Sequence, residues 1–167
     1  MPTILTNSTV YLGKNLFGTA SSCTCPEIDM EVVETKNGYG NYNLPVGVKA
    51  MTASLTITGF DKEVFKKISN PFKEINMTVY GSLDTYTNET LTKSEQAKLV
   101  LRCASQKFGL LGELKQQENL EQNIDFNVSA AKLYIAGKEQ YNIDLINMIW
   151  KINGVDQLEN VRKNLAL

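Results

Sequence analysis

The sequence predicts a mainly β fold, an antiparallel β-barrel or sandwich with one or two short flanking helices. The first observation behind this prediction is that apolar and polar residues alternate over several segments, as they do in half-buried strands. The second is that helical spacing is restricted to two short stretches. The third is a composition typical of a folded domain, with 43% hydrophobic and 21% charged residues. Together these features are typical of an antiparallel barrel or sandwich.

Three strands are predicted early in the chain, at residues 9–12, 27–33 and 51–58. The third of them shows the clearest alternation. One face is apolar and consists of Met51, Ala53, Leu55 and Ile57. The other face carries only hydroxyl side chains, those of Thr52, Ser54, Thr56 and Thr58. Because successive side chains of a strand point to opposite sides, the first face is predicted to be buried and the second to form an uncharged polar surface.

A Gly- and Asn-rich segment, residues 36–47, lies between the second and third of these strands and is predicted to be a loop. The segment also contains Tyr39, Tyr42, Leu44 and Pro45. A loop that exposes such residues usually packs against another surface. Two arrangements remain open at this point. The loop folds back on its own domain, or it extends to a neighbouring subunit.

A short helix is predicted over residues 61–70, with Asp61 as its N-cap. Its apolar side would consist of Val64, Phe65 and Ile68. Its charged side would consist of Lys62, Glu63, Lys66 and Lys67. A second helix is predicted over residues 156–165, after a break at Gly154.

The strands of the second half are predicted at residues 75–83, 97–103 and 124–135. In the last of these the apolar residues change parity at Ala130–Ala131, which indicates a β-bulge. A turn at Gly137–Lys138 then closes a hairpin with the segment that follows it, residues 140–143. Two further segments, 94–96 and 113–121, are ambiguous, and a polar loop is one interpretation of the second.

Charge and residue usage exclude several classes of function. Lys and Arg number 17 and Asp and Glu number 18, so the chain lacks the basic excess with which proteins bind DNA phosphates. Histidine is absent, which removes the commonest general base and the commonest metal ligand. Cys23 and Cys25 lack the usual spacing of a zinc site. The sequence therefore predicts no catalytic residue, no metal and no cofactor.

No linker or internal repeat interrupts the chain, so residues 1–167 are expected to form a single domain. The N-terminal segment lacks the features of a secretory signal, and no apolar run is long enough for a membrane anchor. The chain has three cysteines in no disulfide pattern, so it is expected to be made in the cytoplasm.

Three segments near the C-terminus carry a family resemblance: Lys132–Asp144, Ile152–Leu158 and Arg162–Leu167. They resemble the end of the major tail tube proteins of contractile-tailed phages, which are also found in phage-tail-like bacteriocins. The most specific part is the Ile-Asn-Gly-Val-Asp-Gln-Leu stretch of the second segment. The resemblance extends over nearly the whole chain, with the exception of residues 94–121.

The resemblance implies a β-barrel-like subunit that forms hexameric rings, which stack into a hollow tube. It implies that the partners are further copies of the chain, the tail sheath protein, and the baseplate and tail terminator proteins. Genomic DNA would pass through the lumen without specific binding. The protein would be located in the tail tube of the virion, after assembly in the cytoplasm of the bacterial host.

These expectations assign three surfaces. The lumen is predicted to be lined by Thr52, Ser54, Thr56 and Thr58. A neighbouring subunit is predicted to contact Tyr39, Tyr42, Leu44 and Pro45. The sheath is predicted to meet Lys62, Glu63, Lys66 and Lys67, through ion pairs that are individually weak and sensitive to salt.

Two other functions remain as alternatives. One is a monomeric β-barrel binding module for a small ligand or peptide, which requires a pocket with converging polar groups. The other is an enzyme that uses carboxylates without histidine. Only a tube subunit is expected to form rings or hollow rods, which an electron micrograph would show.

Overall fold

The alternating segments form one large antiparallel sheet and one separate hairpin in the computed structural model, which describes residues 1–13, 15–16, 20–59, 62–111 and 114–167. The strands are β1 (Thr3–Leu12), β2 (Asn15–Leu16), β3 (Ala20–Thr24), β4 (Met30–Asn37), β5 (Gly40–Val48), β6 (Met51–Thr58), β7 (Ile75–Thr87), β8 (Thr90–Phe108), β9 (Glu121–Ile135), β10 (Lys138–Asp144), β11 (Ile149–Ile152) and β12 (Val155–Asp156). The helices are α1 (Lys62–Ile68) and α2 (Glu159–Asn164). This architecture confirms the predicted fold class.

The large sheet forks at β9. Along one side of β9 runs β8, followed by β7, β1 and β2. On the other side, residues 121–128 pair with β6, which in turn pairs with β3. Residues 130–135 pair instead with β10, which continues to β11 and β12. One strand therefore belongs to two branches of the sheet.

The fork coincides with the predicted β-bulge. Arg102 of β8 pairs with Ala130 of β9, whereas the next residue, Cys103, pairs with Val128. Ser129 is thus the extra residue, one position before the parity change seen in the sequence. A bulge bends its strand and increases the local twist, and this bend separates the two branches.

Both branches contribute to one core. Its largest fully buried side chains are Phe126, Leu12, Met51, Leu55, Ile68, Met77, Leu101, Ile124 and Ile143. The apolar face of β6 is buried as its alternation predicts, and the hydroxyl face points away from the core. Burying each large apolar side chain contributes about 1.5–3 kcal/mol, so this shared core holds the branches together.

Helix α1 packs its apolar side on the core. Val64 and Ile68, one turn apart, are buried. The ring of Phe65 meets that of Phe108 edge-on, with 6.4 Å between the centroids. The helix ends at Ile68, two residues before its predicted end. The predicted N-cap, Asp61, lies outside the described residues.

The prediction of a loop over residues 36–47 is wrong. These residues belong to the two-stranded hairpin of β4 and β5, which pairs with no other strand of the described chain. Only the turn itself is irregular: the backbone N–H groups of Tyr39 and Gly40 donate to Asn37 Oδ1, at 2.9 and 3.1 Å. An Asn side chain that satisfies the turn backbone in this way permits a tight reversal.

Several strands are longer than predicted. β1 begins at Thr3, β7 continues to Thr87, and β8 extends over Thr90–Phe108, which includes the ambiguous residues 94–96. Residues 114–120 lie outside the regular elements, as a polar loop would. The extensions of β1, β7 and β8 form a three-stranded arm that reaches beyond β9.

The C-terminal segment folds onto β11 through α2. The guanidinium group of Arg162 donates to the carbonyl oxygen of Met148 at 2.7 Å and forms an ion pair with Asp156. Of the helices in the described residues, neither is long and apolar enough to cross a membrane.

Candidate assembly surfaces

The outer edge of β1 is open. β1 pairs with β7 along its length, from Thr3 opposite Thr85 to Leu12 opposite Met77. On its other side, only the two residues at its C-terminal end pair with a described strand, β2. The side chains of Ile4 and Leu5 are 51% and 57% exposed on this arm. An open edge with apolar side chains is a template for pairing with another strand.

A cluster of hydroxyl groups around Asp84 ties the three strands of the arm together. The Asp84 carboxylate accepts hydrogen bonds from Ser94 Oγ at 2.6 Å, Thr6 Oγ1 at 2.7 Å and Ser82 Oγ at 3.0 Å. Those from Ser94 and then Thr6 are the main reason that the pKa of the Asp84 carboxyl lies below its ordinary value. Thr6 is the extra residue of a bulge in β1, where Leu5 and Asn7 pair with consecutive residues of β7. The cluster therefore holds the edge strand in one register.

The β4–β5 hairpin exposes apolar side chains on both of its strands. Tyr39 is fully exposed at the turn, and Tyr42 and Leu44 are 44% and 45% exposed. The sequence predicted an interface at these residues, and the structure adds three further exposed side chains on the same hairpin, those of Val32, Val33 and Val46. Because neither strand has a second partner in the described chain, the hairpin also offers two open edges.

The hydroxyl face of β6 continues across its neighbours. Ser54 lies between Thr24 of β3 and Asp125 of β9. Thr56 Oγ1 donates to Asn123 Oδ1 of β9 at 2.7 Å. The structure thus brings the four predicted lumen residues together on one polar face. It also adds carboxylates that the pattern of β6 alone did not reveal, those of Glu121 and Asp125.

The charged side of α1 is exposed except at its last lysine. Glu63 and Lys66 form an ion pair at 3.6 Å, and both side chains are about two-thirds or more exposed. Lys67 instead turns inward, and its Nζ donates to the carbonyl oxygen of Leu12 at 3.1 Å. Phe72, which no sequence pattern singled out, is 95% exposed on the turn after the helix. Its backbone N–H donates to Asn70 Oδ1 at 3.0 Å, which fixes the turn.

A partly buried ion pair stabilises the fork and the turn after β10. Arg102 Nη2 donates to Asp144 Oδ1 at 2.7 Å, and Arg102 Nε donates to Oγ of Ser129, the bulge residue. Asp144 also accepts from the backbone N–H groups of Ile146 and Asn147 and from Asn147 Nδ2. Burial alone would raise the pKa of the Asp144 carboxyl, but the hydrogen bonds from Asn147 and Arg102 outweigh it and lower that pKa.

Two grooves on the described surface do not combine enclosure with converging polar groups. An apolar groove of about 660 Å³ separates the base of the hairpin from the C-terminal segment, and Val46, Trp150 and Val161 contribute to it. A polar cavity of about 770 Å³ lies beside the loop after β8, near Lys107 and Gln122. Both are open to solvent. Within the described residues, no three Cys, Asp or Glu side chains are arranged to hold a metal ion.

Comparison with known families identifies the family to which the chain belongs. The model of the phage tail tube protein FII family matches residues 2–165, almost the whole sequence. The chain belongs to this family. The match includes residues 94–121, which the resemblance found in the sequence did not cover.

A relative of known identity agrees with the family assignment. The tail tube protein of Escherichia phage P2 is 30% identical over 174 aligned positions, which cover 100% of this chain and 99% of the P2 protein. The chain described here, like its family, is therefore a structural subunit of a phage tail tube or a related contractile particle.

Solved structures of contractile injection systems share the fold. A chain of the PVC sheath–tube complex in its extended state superposes with a TM-score of 0.59 and 15% identity, over 80% of this chain and 91% of that chain. A chain of the tube-terminating cap of the anti-feeding prophage gives a TM-score of 0.60 and 14% identity, over 81% and 93%. The strand architecture of the tail tube protein is thus common to tube-forming systems of low sequence identity.

Proposed function

We propose that six copies of this tail tube protein close into a ring and that the rings stack into the hollow tube. The proposal treats residues 1–167 as one tail tube domain and gives the protein a structural role without catalysis. Its partners would be further copies, the tail sheath protein, and the terminator and baseplate proteins at the two ends. Assembly would take place in the cytoplasm of the bacterial host.

The observation that carries the proposal is the open edge of β1. Backbone N–H and C=O groups on an unpaired edge are satisfied only by water or by another strand. A second open edge lies at β3, which pairs only with β6 in the described chain. Two different open edges on one subunit favour head-to-tail contacts, and such contacts generate a ring when the rotation closes.

The β4–β5 hairpin would form the contact between stacked rings. It stands apart from the large sheet, has apolar side chains on both strands, and is rigid at its turn through Asn37. Exposed apolar surface of this kind marks protein interfaces. Tyr39, Tyr42, Leu44 and Pro45 would meet the adjacent ring.

The distribution of charge on the subunit suggests which surface faces the sheath and which faces the lumen. The face of α1 that carries Lys62, Glu63 and Lys66 would meet the sheath, with Phe72 beside it as an apolar anchor. Lys67 contributes little to this contact, because its ammonium group is bonded to β1. The hydroxyl face of β6 would line the lumen, where its hydroxyl groups and the carboxylates of Glu121 and Asp125 do not attract DNA phosphates.

Electron microscopy of the concentrated protein tests the proposal against a monomeric binding module. The proposal predicts annular particles with six-fold symmetry and, at higher concentration, hollow rods. A monodisperse population of single compact particles at every concentration and salt level would contradict it.

A further inference from the structure

An apolar groove lies at the base of the β4–β5 hairpin. Its volume is about 660 Å³, and the hairpin forms one wall while the C-terminal segment forms the other. Pro45 and Val46 belong to the hairpin wall, and Leu158 and Val161 belong to the C-terminal wall. Val46 and Val161 are 60% and 42% exposed, so the groove is accessible in the single chain. A groove of this volume and lining is large enough to hold an aromatic side chain.

Trp150 lies in this groove in a fixed orientation. Its Nε1 donates to Tyr141 Oη at 2.5 Å, and the two rings meet edge-on, with 6.5 Å between the centroids. The polar atom of the indole is therefore satisfied, while part of its apolar surface stays exposed at the groove. Aromatic rings form favourable edge-to-face and offset contacts with one another. Trp150 thus favours an aromatic group as the occupant of the groove.

Tyr39 is an aromatic side chain without such a contact in the single chain. It is fully exposed at the turn of the hairpin, more than any other large apolar side chain of the described residues. Its backbone N–H donates to Asn37 Oδ1 at 2.9 Å, which fixes the turn. A side chain on a fixed turn loses little backbone freedom when it binds. Tyr39 is therefore suited to insert into a groove.

The groove of the same chain is out of reach of Tyr39. The hairpin pairs without interruption of its two ends, from Met30 opposite Val48 at its base to Asn37 opposite Gly40 at its turn. Met30 and Val48 line the groove. The 8 residues of β4 separate turn and groove by about 26 Å, at about 3.3 Å per residue. The aromatic side chain that enters the groove therefore comes from a second copy.

The turn and the base of the hairpin have opposite charge. The base, residues 27–34, contains no Lys or Arg and carries the carboxylates of Glu27, Asp29, Glu31 and Glu34. Lys49 pairs with Asp29 at 3.5 Å, which leaves an excess of carboxylates. The turn region, residues 36–41, has Lys36 as its only charged residue. Complementary charge of this kind favours the approach of one hairpin turn to the base of another hairpin.

We propose that Tyr39 of each copy inserts into the hairpin groove of a copy in the adjacent ring. This inference rests on the proposed function, and it assigns the surface that receives the hairpin. Turn and groove are different surfaces of one chain, so each copy provides one contact and receives one. A head-to-tail contact that does not close on itself generates an open filament. Rings joined in this way add one after another along the tube axis.

Tyr39→Ser removes the inserted side chain. At a protein concentration at which the wild type forms rods, the variant is expected to give single rings, because every subunit at the interface loses its aromatic contact. Electron microscopy counts single and stacked rings. Asn41→Ser, an exposed position of the same turn region, is the matched control and is expected to give rods. Rods of wild-type length from Tyr39→Ser would overturn the inference.

Val161→Lys obstructs the groove from the C-terminal wall and is also expected to give single rings. Val46→Lys obstructs it from the hairpin wall and replaces Val161→Lys if that variant forms no rings. Circular dichroism checks that each variant is folded.

A mixture of preformed rings tests the direction of the contact. Rings of Tyr39→Ser keep the groove, and rings of Val161→Lys keep the inserted tyrosine. One ring of each kind shares one intact interface, so the mixture is expected to give stacks of two rings and no rods. A mixture that stays as single rings, or that forms rods, would contradict insertion of Tyr39 into this groove.

The same experiments separate this inference from the proposed function. If the wild type forms no rings, both are wrong. If the wild type, Tyr39→Ser and Val161→Lys all form rods, the rings stack through another surface. Only the assignment of the groove is then wrong.

Discussion

At the scale of single residues, Asp144 has the most defined structural role among the carboxylates described. Its two oxygens accept hydrogen bonds from Arg102 across the fork and from the backbone and side chain of the β10–β11 turn. A carboxylate with this many donors stabilises the fold in its charged form. The sequence contained part of this signal, since an Asp at the end of a strand before a turn often bonds to the turn backbone. The pairing with Arg102 depends on the register of three strands and was not predictable.

Asp144→Asn is expected to lower the free energy of unfolding of the unassembled chain by about 1–3 kcal/mol at neutral pH, because it removes charged hydrogen bonds. The folded-state pKa of Asp144 lies below its unfolded value. Its contribution is therefore complete above the ordinary Asp pKa of about 3.9 and is lost as the pH falls through the folded value. The difference between variant and wild type should shrink in acid.

Denaturant titrations at neutral pH and below about pH 3 measure this difference. Asp125→Asn, on the polar face of β9, serves as the control for removing a carboxylate. A difference that stays constant over this pH range would mean that the charge of Asp144 does not carry the effect.

Thr56 tests the lumen assignment at the same scale. Thr56→Lys would place a cation among hydroxyl groups, and the ring would repeat it in every subunit. Since ammonium groups retain DNA phosphates, the rate of DNA ejection from assembled particles is expected to fall severalfold. Thr56→Gln, which adds length without charge, is the matched control. Equal ejection rates for the two variants would place this face outside the lumen.

At the scale of elements, the alternation of apolar and polar residues predicted those strands that bury one of their two faces. β6 and β9 follow it closely, because a buried face requires period two. The hairpin was missed for the opposite reason. Tyr42, Leu44 and Val46 do alternate, but neither face of the hairpin is buried, and Gly, Asn and Pro suggested a loop. Pro45 is compatible with β5 because the strand has an open edge.

The polar half of β8 was missed for a related reason. Residues 90–96 have no buried face, and pairing with β7 is what makes them a strand. Such partners are set by long-range register, which a local pattern does not contain. The sequence identified Tyr39, Lys62 and Thr52 as surface groups from their local pattern. It did not reveal the open edge of β1 or the exposure of Phe72, because both depend on which parts of the chain pack together.

Tyr42 tests the role of the hairpin. Tyr42→Ala is expected to shorten the tubes and to lower their dissociation temperature, since aromatic anchors at interfaces contribute about 2 kcal/mol or more each. Electron microscopy and thermal melting of tubes measure these effects. Asn43→Ala, on the opposite face of the same strand, is the control. Unchanged tube length and heat resistance in Tyr42→Ala would rule out the hairpin as the contact between rings.

Helix α1 is tested by charge reversal. Glu63→Lys breaks the pair with Lys66 and makes the exposed face uniformly basic. Each surface pair contributes only about 0–1 kcal/mol, but a tube of many subunits would repeat the proposed contact along its length. Sheath assembly on tubes is therefore expected to change and to depend on salt, whereas Glu118→Lys, on the loop before β9, should have no effect. Sheath assembly that is insensitive to both salt and Glu63→Lys would remove α1 from this interface.

At the scale of the whole molecule, the described chain leaves strand edges unpaired at opposite parts of its sheet. Its core is continuous through both branches, so the open edges do not result from incomplete folding. An exposed strand edge makes a monomer prone to aggregation. In a closed ring each such edge would pair with the neighbouring subunit, so no edge would stay exposed. The chain belongs to a tail tube family, and its open edges favour the ring proposed above.

Hydrogen exchange of the unassembled and assembled protein tests this account most directly. Amides of β9, paired on both sides, should be protected in both states. Among residues 3–10 of β1, the amides that point away from β7 should exchange quickly in the single chain and more than about tenfold more slowly in the assembled tube. Equal exchange of these residues in the two states would show that neighbouring copies do not complete the sheet.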